Sequence, residues 1–205
     1  LKAGMGIMNT IITIGRELGS GGRTIGRTVA MKFGIPYYDR ELIDKTAEES
    51  GFAIDFVKSQ EQKISAYYKL CMGMSYGYGN QILSLSSQIY QAQVKVIREI
   101  AEKGPCVIVG RCADYILKDR NNLLKVFIYS DIEHRVKRAV NSYGMNEQTA
   151  RKEIQKSDKE RARHYNLFTD NTWGSRENYD LMLDSGYLGL EKCADLICEV
   201  ASQHQ

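Results

Sequence analysis

The sequence predicts an α/β fold, a three-layer sandwich with helices on both faces of a parallel sheet. Short runs such as Val107-Ile108-Val109 and Val126-Phe127-Ile128 are apolar at every position instead of alternating, as strands buried on both faces are. Amphipathic stretches fall between these runs, and strands that alternate with helices build parallel sheets. With 205 residues and 43% apolar content, the chain suits one well-buried domain, here taken as residues 9–200.

The first strand is the run Ile11, Ile12, Ile14, which breaks into Gly15-Arg16-Glu17-Leu18-Gly19-Ser20-Gly21-Gly22-Arg23-Thr24. Ile25, Val29 and Phe33 then recur at i, i+4, i+8, and Gly34-Ile35-Pro36 stops that helix before a short strand at Ile35 to Tyr38. This is a βαβ unit. Asp39 is placed to cap the next helix. Glu48 to Gln81 is polar and rich in Tyr and Gly, and reads as a helical insertion with a moving segment at Gly73 to Gly79. A long helix follows, with Ile82, Leu85, Ile89, Ala92, Val96 and Ile100 on one face, and Gly104-Pro105 ends it ahead of a strand at Cys106 to Val109. A strand at Lys125 to Tyr129, helices at Ile132 to Val140 and Glu147 to Arg163, a strand at Leu181 to Asp184 and a helix at Leu190 to Val200 complete the reading. Lys137 to Arg176 is strongly basic.

A net charge of +3 gives no whole-molecule field for nucleic acid. Cys71, Cys106, Cys112, Cys193 and Cys198 form no C-x-x-C pair, and the histidines show no ligand spacing, so a reduced cytoplasmic protein without a structural metal is expected. No apolar run approaches the roughly 20 residues that span a bilayer. Leu1 to Thr10 lacks a signal-peptide core, and Leu1 in place of Met suggests a trimmed start.

A strand, a glycine-rich turn and a helix make a phosphate cradle, because turn amides and the positive end of the helix converge on one point. The pattern G-x-x-x-x-G-K-[ST] falls on Glu17 to Thr24, with Glu17 in place of the first glycine and Arg23 in place of the lysine. On this reading Gly19, Ser20, Gly21 and Gly22 hold phosphates, Arg23 takes the β- and γ-phosphates, and Thr24 takes Mg²⁺. The alternative is a turn that only lets a helix pack on a strand.

Asp39, Arg40 and Lys45 follow the second strand at the carboxyl edge of the sheet, where open α/β folds bind ligands. Arg40 and Lys45 are candidates for an acceptor phosphate, against an ordinary cap and solvated face. Arg111 leaves the third strand at the same edge and needs an anion, either a phosphate or the carboxylate of Asp114 or Asp131. Arg135, Arg138, Lys156, Glu160, Arg161 and Arg163 form the basic region, where Lys156, Glu160 and Arg163 share a helix face or, alternatively, a solvated one. Tyr67, Tyr68, Tyr76 and Tyr78 either stack a base or pack a subdomain, and His134 and His164 read as surface residues.

Three ordered stretches, Ile14-Gly15-Arg16-Glu17-Leu18-Gly19-Ser20-Gly21-Gly22-Arg23-Thr24, Gly34-Ile35-Pro36-Tyr37-Tyr38-Asp39-Arg40 and Val107-Ile108-Val109-Gly110-Arg111-Cys112-Ala113-Asp114, resemble the cytidylate kinase-like family of P-loop proteins. The resemblance runs from Ile11 to about Val200. It implies a five-stranded parallel sheet of the nucleoside monophosphate kinase type, a substrate-binding insertion at about 40–81 and a lid at about 137–176. It also implies ATP and Mg²⁺, with a nucleoside monophosphate, CMP or dCMP first, as acceptor. Small nucleotides are then the partners, without nucleic acid or membrane, for a monomer or weak homo-oligomer. By position, Lys45 and Arg111 fall where cytidylate kinases place arginines for the CMP phosphate, and Lys156, Glu160 and Arg163 align with a set near the lid. Cytidylate kinases have Gly-Arg-Asp where this chain has Gly110-Arg111-Cys112, which leaves Asp114 as the candidate replacement carboxylate. A nucleotide-binding regulator without turnover and a kinase of a non-nucleotide metabolite are the competing readings.

Overall fold

The apolar run at Ile11 forms β1 (Ile11–Arg16), which takes the centre of the sheet. A computed structural model describes residues 9–39, 41–51 and 79–203. On one side β1 pairs with β3 (Val107–Val109), and on the other with β4 (Leu123–Tyr129). β2 (Tyr37–Tyr38) and β5 (Leu181–Asp184) are the edges, every pairing is parallel, and the order is β2-β3-β1-β4-β5. Five strands and the α/β class are as expected from the sequence.

Alternate residues of β1 build two separate cores, as the two-residue period of a strand requires. Ile12 and Ile14 pack with Ile25 and Val29 of α1 (Gly22–Phe33) and with Ala194 and Ile197 of α8 (Leu190–Gln203). Ile11, with Ile108 of β3, packs against Val96, Ile97 and Ile100 of α3 (Gly79–Glu102) on the other face. These isoleucines are fully buried, and each contributes roughly 1.5–3 kcal/mol relative to exposure. The remaining described helices are α2 (Glu41–Ser50), α4 (Ala113–Ile116), α5 (Ile132–Tyr143), α6 (Glu147–Phe168) and α7 (Ser185–Leu188).

Several boundaries differ from the sequence reading for physical reasons. β2 begins at Tyr37 instead of Ile35, because the Ile35 amide turns back to the Ala30 carbonyl at 3.0 Å and Pro36 has no amide to offer. α5 runs to Tyr143, where Gly144 caps it, and α6 runs past Arg163 to Phe168. α8 continues beyond Val200 to Gln203. The buried face of α3 includes Ile89, Gln93, Val96, Ile97 and Ile100. Arg40, Cys71, the stretch 73–78, the Tyr67, Tyr68, Tyr76 and Tyr78 cluster and the side chains of Ile82 and Leu85 lie outside the described residues. No described helix is long and apolar enough to cross a membrane, and the four described cysteines are free.

Candidate functional site

After β1 the chain turns through Leu18-Gly19-Ser20-Gly21 into α1. Gly19 and Gly21 hold φ of 84° and 81°, left-handed values that glycine adopts without strain. A Cβ on Gly21 would lie 2.5 Å from Leu190 Cδ2 and 3.2 Å from the Arg138 guanidinium, so the turn is packed from behind. Gly21 caps α1 without a side-chain hydrogen bond, and the first turn of α1 carries no acidic residue. The amide end of α1 thus keeps the donors and the positive dipole that suit an anion. Thr24 is exposed on that first turn, and its Oγ1 accepts from Arg138 Nη2 at 3.0 Å. These residues fit the phosphates and divalent cation of a nucleoside triphosphate: glycine backbone, helix terminus, a hydroxyl and a guanidinium converge there.

The sequence assigned Glu17 no role, since it replaces a glycine, but the structure gives it one. Its Oε2 accepts from the Ser130 amide at 3.1 Å and lies 3.4 Å from Arg135 Nε, which ties the end of β1 to the start of α5. Burial raises its carboxyl above the ordinary value. Asp158 of α6 completes this frame. It accepts from the Leu18 amide at 2.8 Å, from Arg135 Nη1 and from Arg161 Nη1 at 3.3 Å, so one carboxylate joins the glycine turn, α5 and α6.

Beside the turn, a cavity of about 300 Å³ opens at the carboxyl edge between β1 and β3. Arg16, Arg23, Arg111 and Arg161 converge on it from four different segments. Asp39, buried at the end of β2, lies 3.7 Å from Arg16 Nη2 and 2.8 Å from Arg23 Nε. Four guanidiniums gathered around Asp39 leave a surplus of positive charge. Burial, then repulsion from Arg161, pulls Arg16 down to about 9 from its usual 12.5, and burial pulls Arg111 down to about 10. Arg161 is lowered by burial as well. A phosphate entering this cluster exchanges that repulsion for charge-assisted hydrogen bonds.

Arg111 reaches the cavity through a strained turn. Gly110, Arg111 and Cys112 have φ of 76°, 62° and 54°, and such values in two consecutive non-glycine residues cost of order 1–3 kcal/mol each. Gln93 of α3 steadies the turn by donating from Nε2 to the Arg111 carbonyl at 2.9 Å. A Cβ on Gly110 would overlap the Arg16 guanidinium. The carboxylates considered for Arg111 are otherwise engaged: Tyr165 Oη donates to Asp114 at 2.6 Å, and Asp131 caps α5. The carboxylate that acts most on Arg111 is Asp39.

Opposite the arginines, α6 supplies Ser157, Glu160, Arg161 and His164, and Trp173 and Tyr179 extend the wall. Phe127 backs both rings, at 5.3 Å from Trp173 and 4.8 Å from Tyr179 between centroids. Of the helix face expected from sequence, only Glu160 lines the cavity. Lys156 is exposed, 4.0 Å from Glu153, and Arg163 lies outside the wall; the face is shifted by one residue to Ser157, Glu160, Arg161 and His164. Lys45 is exposed on α2. Gly19 to Thr24, Asp39, Arg111 and Asp114 do come together at one edge. His164 is not a surface residue, because its ring nitrogens are shielded within the wall.

Comparison with known proteins bears on the family and the fold. A cytidylate kinase of Methanopyrus kandleri is 25% identical over 188 residues, covering 87% of this chain and 86% of that protein. An uncharacterized protein from Eubacterium ventriosum superposes with a TM-score of 0.72 at 29% identity, over 94% of this chain and 98% of that one. A shikimate kinase from Bacteroides thetaiotaomicron shares the fold at 13% identity and a TM-score of 0.55, over 93% and 97% of the two chains. This chain therefore shares its fold with both of these solved structures, one of them a kinase. The profile of the cytidylate kinase-like family matches residues 11–187, and with the glycine turn and the arginine-lined cavity in place, this chain belongs to that family.

Proposed function

We propose that this protein transfers a phosphoryl group from ATP to the phosphate of a nucleoside monophosphate, with CMP or dCMP as the first candidates. The observation that carries the reading is the pairing of two anion sites at one sheet edge: the glycine turn with Thr24 and Arg138, and the cavity with Arg16, Arg23, Arg111 and Arg161. Gly19, Ser20, Gly21, Gly22 and Thr24 hold the donor phosphates, and Thr24 Oγ1 is the hydroxyl that would hold Mg²⁺. When bound, Mg²⁺ supplies charge neutralisation at the donor phosphates. Arg111 and Arg16 hold the acceptor phosphate, Arg23 stands between the two sites, and Arg161 brings α6 over them. Lys156 and Arg163 are assigned to α6 movement over the ligand, and Lys45 to the outer rim of the acceptor site. Positioning and charge neutralisation supply the rate, without a covalent intermediate on the protein.

Asp114 and Glu160, near Trp173, supply the polar contacts for the rest of the acceptor. The stretch about 40–81 serves as the acceptor-binding insertion, and about 137–176 as the lid. Four unbridged cysteines suit a reducing compartment, and a cytoplasmic monomer or weak homo-oligomer is the proposed form.

A coupled ADP-release assay across CMP, dCMP, UMP and AMP tests the reading; turnover on a pyrimidine monophosphate is expected. Two observations favour a second reading. Arg23 is engaged by Asp39 and Cys112 stands where cytidylate kinases have an aspartate, so ATP binding by calorimetry with no turnover on any acceptor would identify a nucleotide-binding regulator.

A further inference from the structure

Gln93 is 3% exposed on α3, among the buried residues Ile89, Val96, Ile97 and Ile100. An amide is costly in such a place unless it is hydrogen-bonded, and a leucine would fill the space without that cost. Its partner is the Arg111 carbonyl, 2.9 Å from Nε2, and since a carbonyl only accepts, the glutamine must donate. The bond falls on the middle of the strained turn. The Gly110 and Cys112 carbonyls on either side accept from the amides of Ala113 at 3.2 Å and Ile116 at 2.8 Å. The Arg111 carbonyl is held by α3 instead, while the Arg111 side chain lines the cavity. At φ 62° the backbone is left-handed, and a return to the ordinary negative range would re-aim that side chain relative to β3. The rotation of α3 that aims Gln93 is fixed in turn by Tyr90, three residues earlier. Its ring stacks on Phe168 of α6 at 4.3 Å between centroids and 12° between planes.

We propose that Gln93 is a positioning residue for phosphate binding: its hydrogen bond keeps the Arg111–Cys112 turn left-handed, and the turn keeps the Arg111 guanidinium on the acceptor phosphate. Gln93 itself touches no ligand. This deepens the proposed function and rests on it for the identity of the acceptor, whereas the link from Gln93 to Arg111 rests on the hydrogen bond and the turn. A glutamine on an apolar helix face thus sets how well an arginine on the far side of its own peptide meets an anion.

The test uses Gln93→Met, which keeps the length and apolar bulk of the side chain and removes the donor. The KM for CMP is expected to rise about tenfold and the KM for ATP to stay within about twofold. The Kd for inorganic phosphate, followed by NMR titration at the Gly110 amide without any nucleotide, is expected to rise by about the same tenfold. Cys112→Gly then relieves the left-handed strain in the turn without supplying a donor. In that background Gln93→Met is expected to raise the phosphate Kd by about threefold or less. Equal factors in the two backgrounds overturn the proposal. So does a Gln93→Met protein that loses stability in urea while its phosphate Kd and CMP KM stay native, since Gln93 then only ties α3 to the turn. If phosphate binding weakens as expected and no nucleoside monophosphate is turned over by the native protein, the nucleotide assignment falls and the role of Gln93 stands. If CMP is turned over with the same KM by the native protein and by Gln93→Met, the role of Gln93 falls alone. A native protein that binds neither inorganic phosphate nor CMP overturns both.

Discussion

Arg23, the residue that replaces the P-loop lysine, has its Nε 2.8 Å from Asp39 Oδ2 and lines the cavity with Arg111, while Arg138 from α5 lies against the glycine turn at Thr24. On the proposed function, Arg138 meets the donor alone, and Arg23 stands between donor and acceptor. Arg138→Ala is expected to raise the KM for ATP by about tenfold and leave the acceptor KM within about twofold. Arg23→Ala is expected to raise both KM values. Steady-state kinetics with each substrate varied in turn check the pair, and an unchanged ATP KM in Arg138→Ala contradicts it.

Asp39 is the carboxylate held against both Arg16 and Arg23 among the described residues. Asp39→Asn leaves both guanidiniums facing one another, and a loss of roughly 1–3 kcal/mol is expected. Inorganic phosphate restores part of that loss by taking the place of the carboxylate. Thermal melts of the variant are expected to rise more with added phosphate than melts of the native protein do. Equal rises would mean that the arginine cluster is not the anion site.

Gly110 leaves no room for a side chain beside Arg16, and its φ is positive. Gly110→Ala is expected to cost roughly 2–4 kcal/mol and to displace Arg16 from the cavity. Denaturant unfolding measures the first effect and acceptor KM the second.

The depressed pKa of His164 also predicts an acid limb of stability. Between about 4 and 6.5 the unfolded chain binds a proton that the native ring refuses, so stability rises with pH across that window and is lost as pH falls. One group shifted this far contributes roughly 3 kcal/mol over the window. Asp114 acts with the opposite sign, because burial raises its pKa: the native carboxyl keeps its proton above the ordinary value, and stability falls as pH rises through that range. His164→Gln is expected to flatten the rise between pH 4 and 6.5 in chemical unfolding curves, and Asp114→Asn to steepen it. A variant whose slope equals the native one contradicts the assignment made for that residue.

Asp158 offers a test of the frame. Asp158→Ala frees the Leu18 amide, Arg135 and Arg161 together, and a stability loss of about 2–4 kcal/mol is expected, with kcat falling more than either KM rises. Unfolding curves and kinetics on the same preparation check it.

The parts of this fold that are legible in sequence are those governed by local rules. The apolar runs at Ile11, Val107 and Val126 give strands, and the glycines after Ile14 and Phe33 give a turn and a cap. Arg111 is legible because a guanidinium at the end of a buried strand needs an anion. Arg16 and His164 are not, since nothing near them in sequence says that β1 and α6 end at the same cavity. The one-residue shift on α6, from Lys156 and Arg163 to Ser157, Arg161 and His164, is set by how α6 rolls against α5. Ala150 and Ile154 packed on Val136 and Ala139 fix that roll, and periodicity alone reports the face only to within a residue. The strained turn at Arg111 and Cys112 depends on Gln93, a polar residue on an otherwise apolar helix face.

Ser185 donates to the Ser20 carbonyl at 2.6 Å and to the Tyr129 carbonyl at 3.1 Å, and Leu190 closes the back of Gly21. The glycine turn leaves the ribosome well before its supports, since Ser185 follows Ser20 by 165 residues. A nascent chain carries the nucleotide-binding signature long before it has the wall behind it. On the proposed function, nucleotide capture is thereby deferred until α7 and the start of α8 have been made.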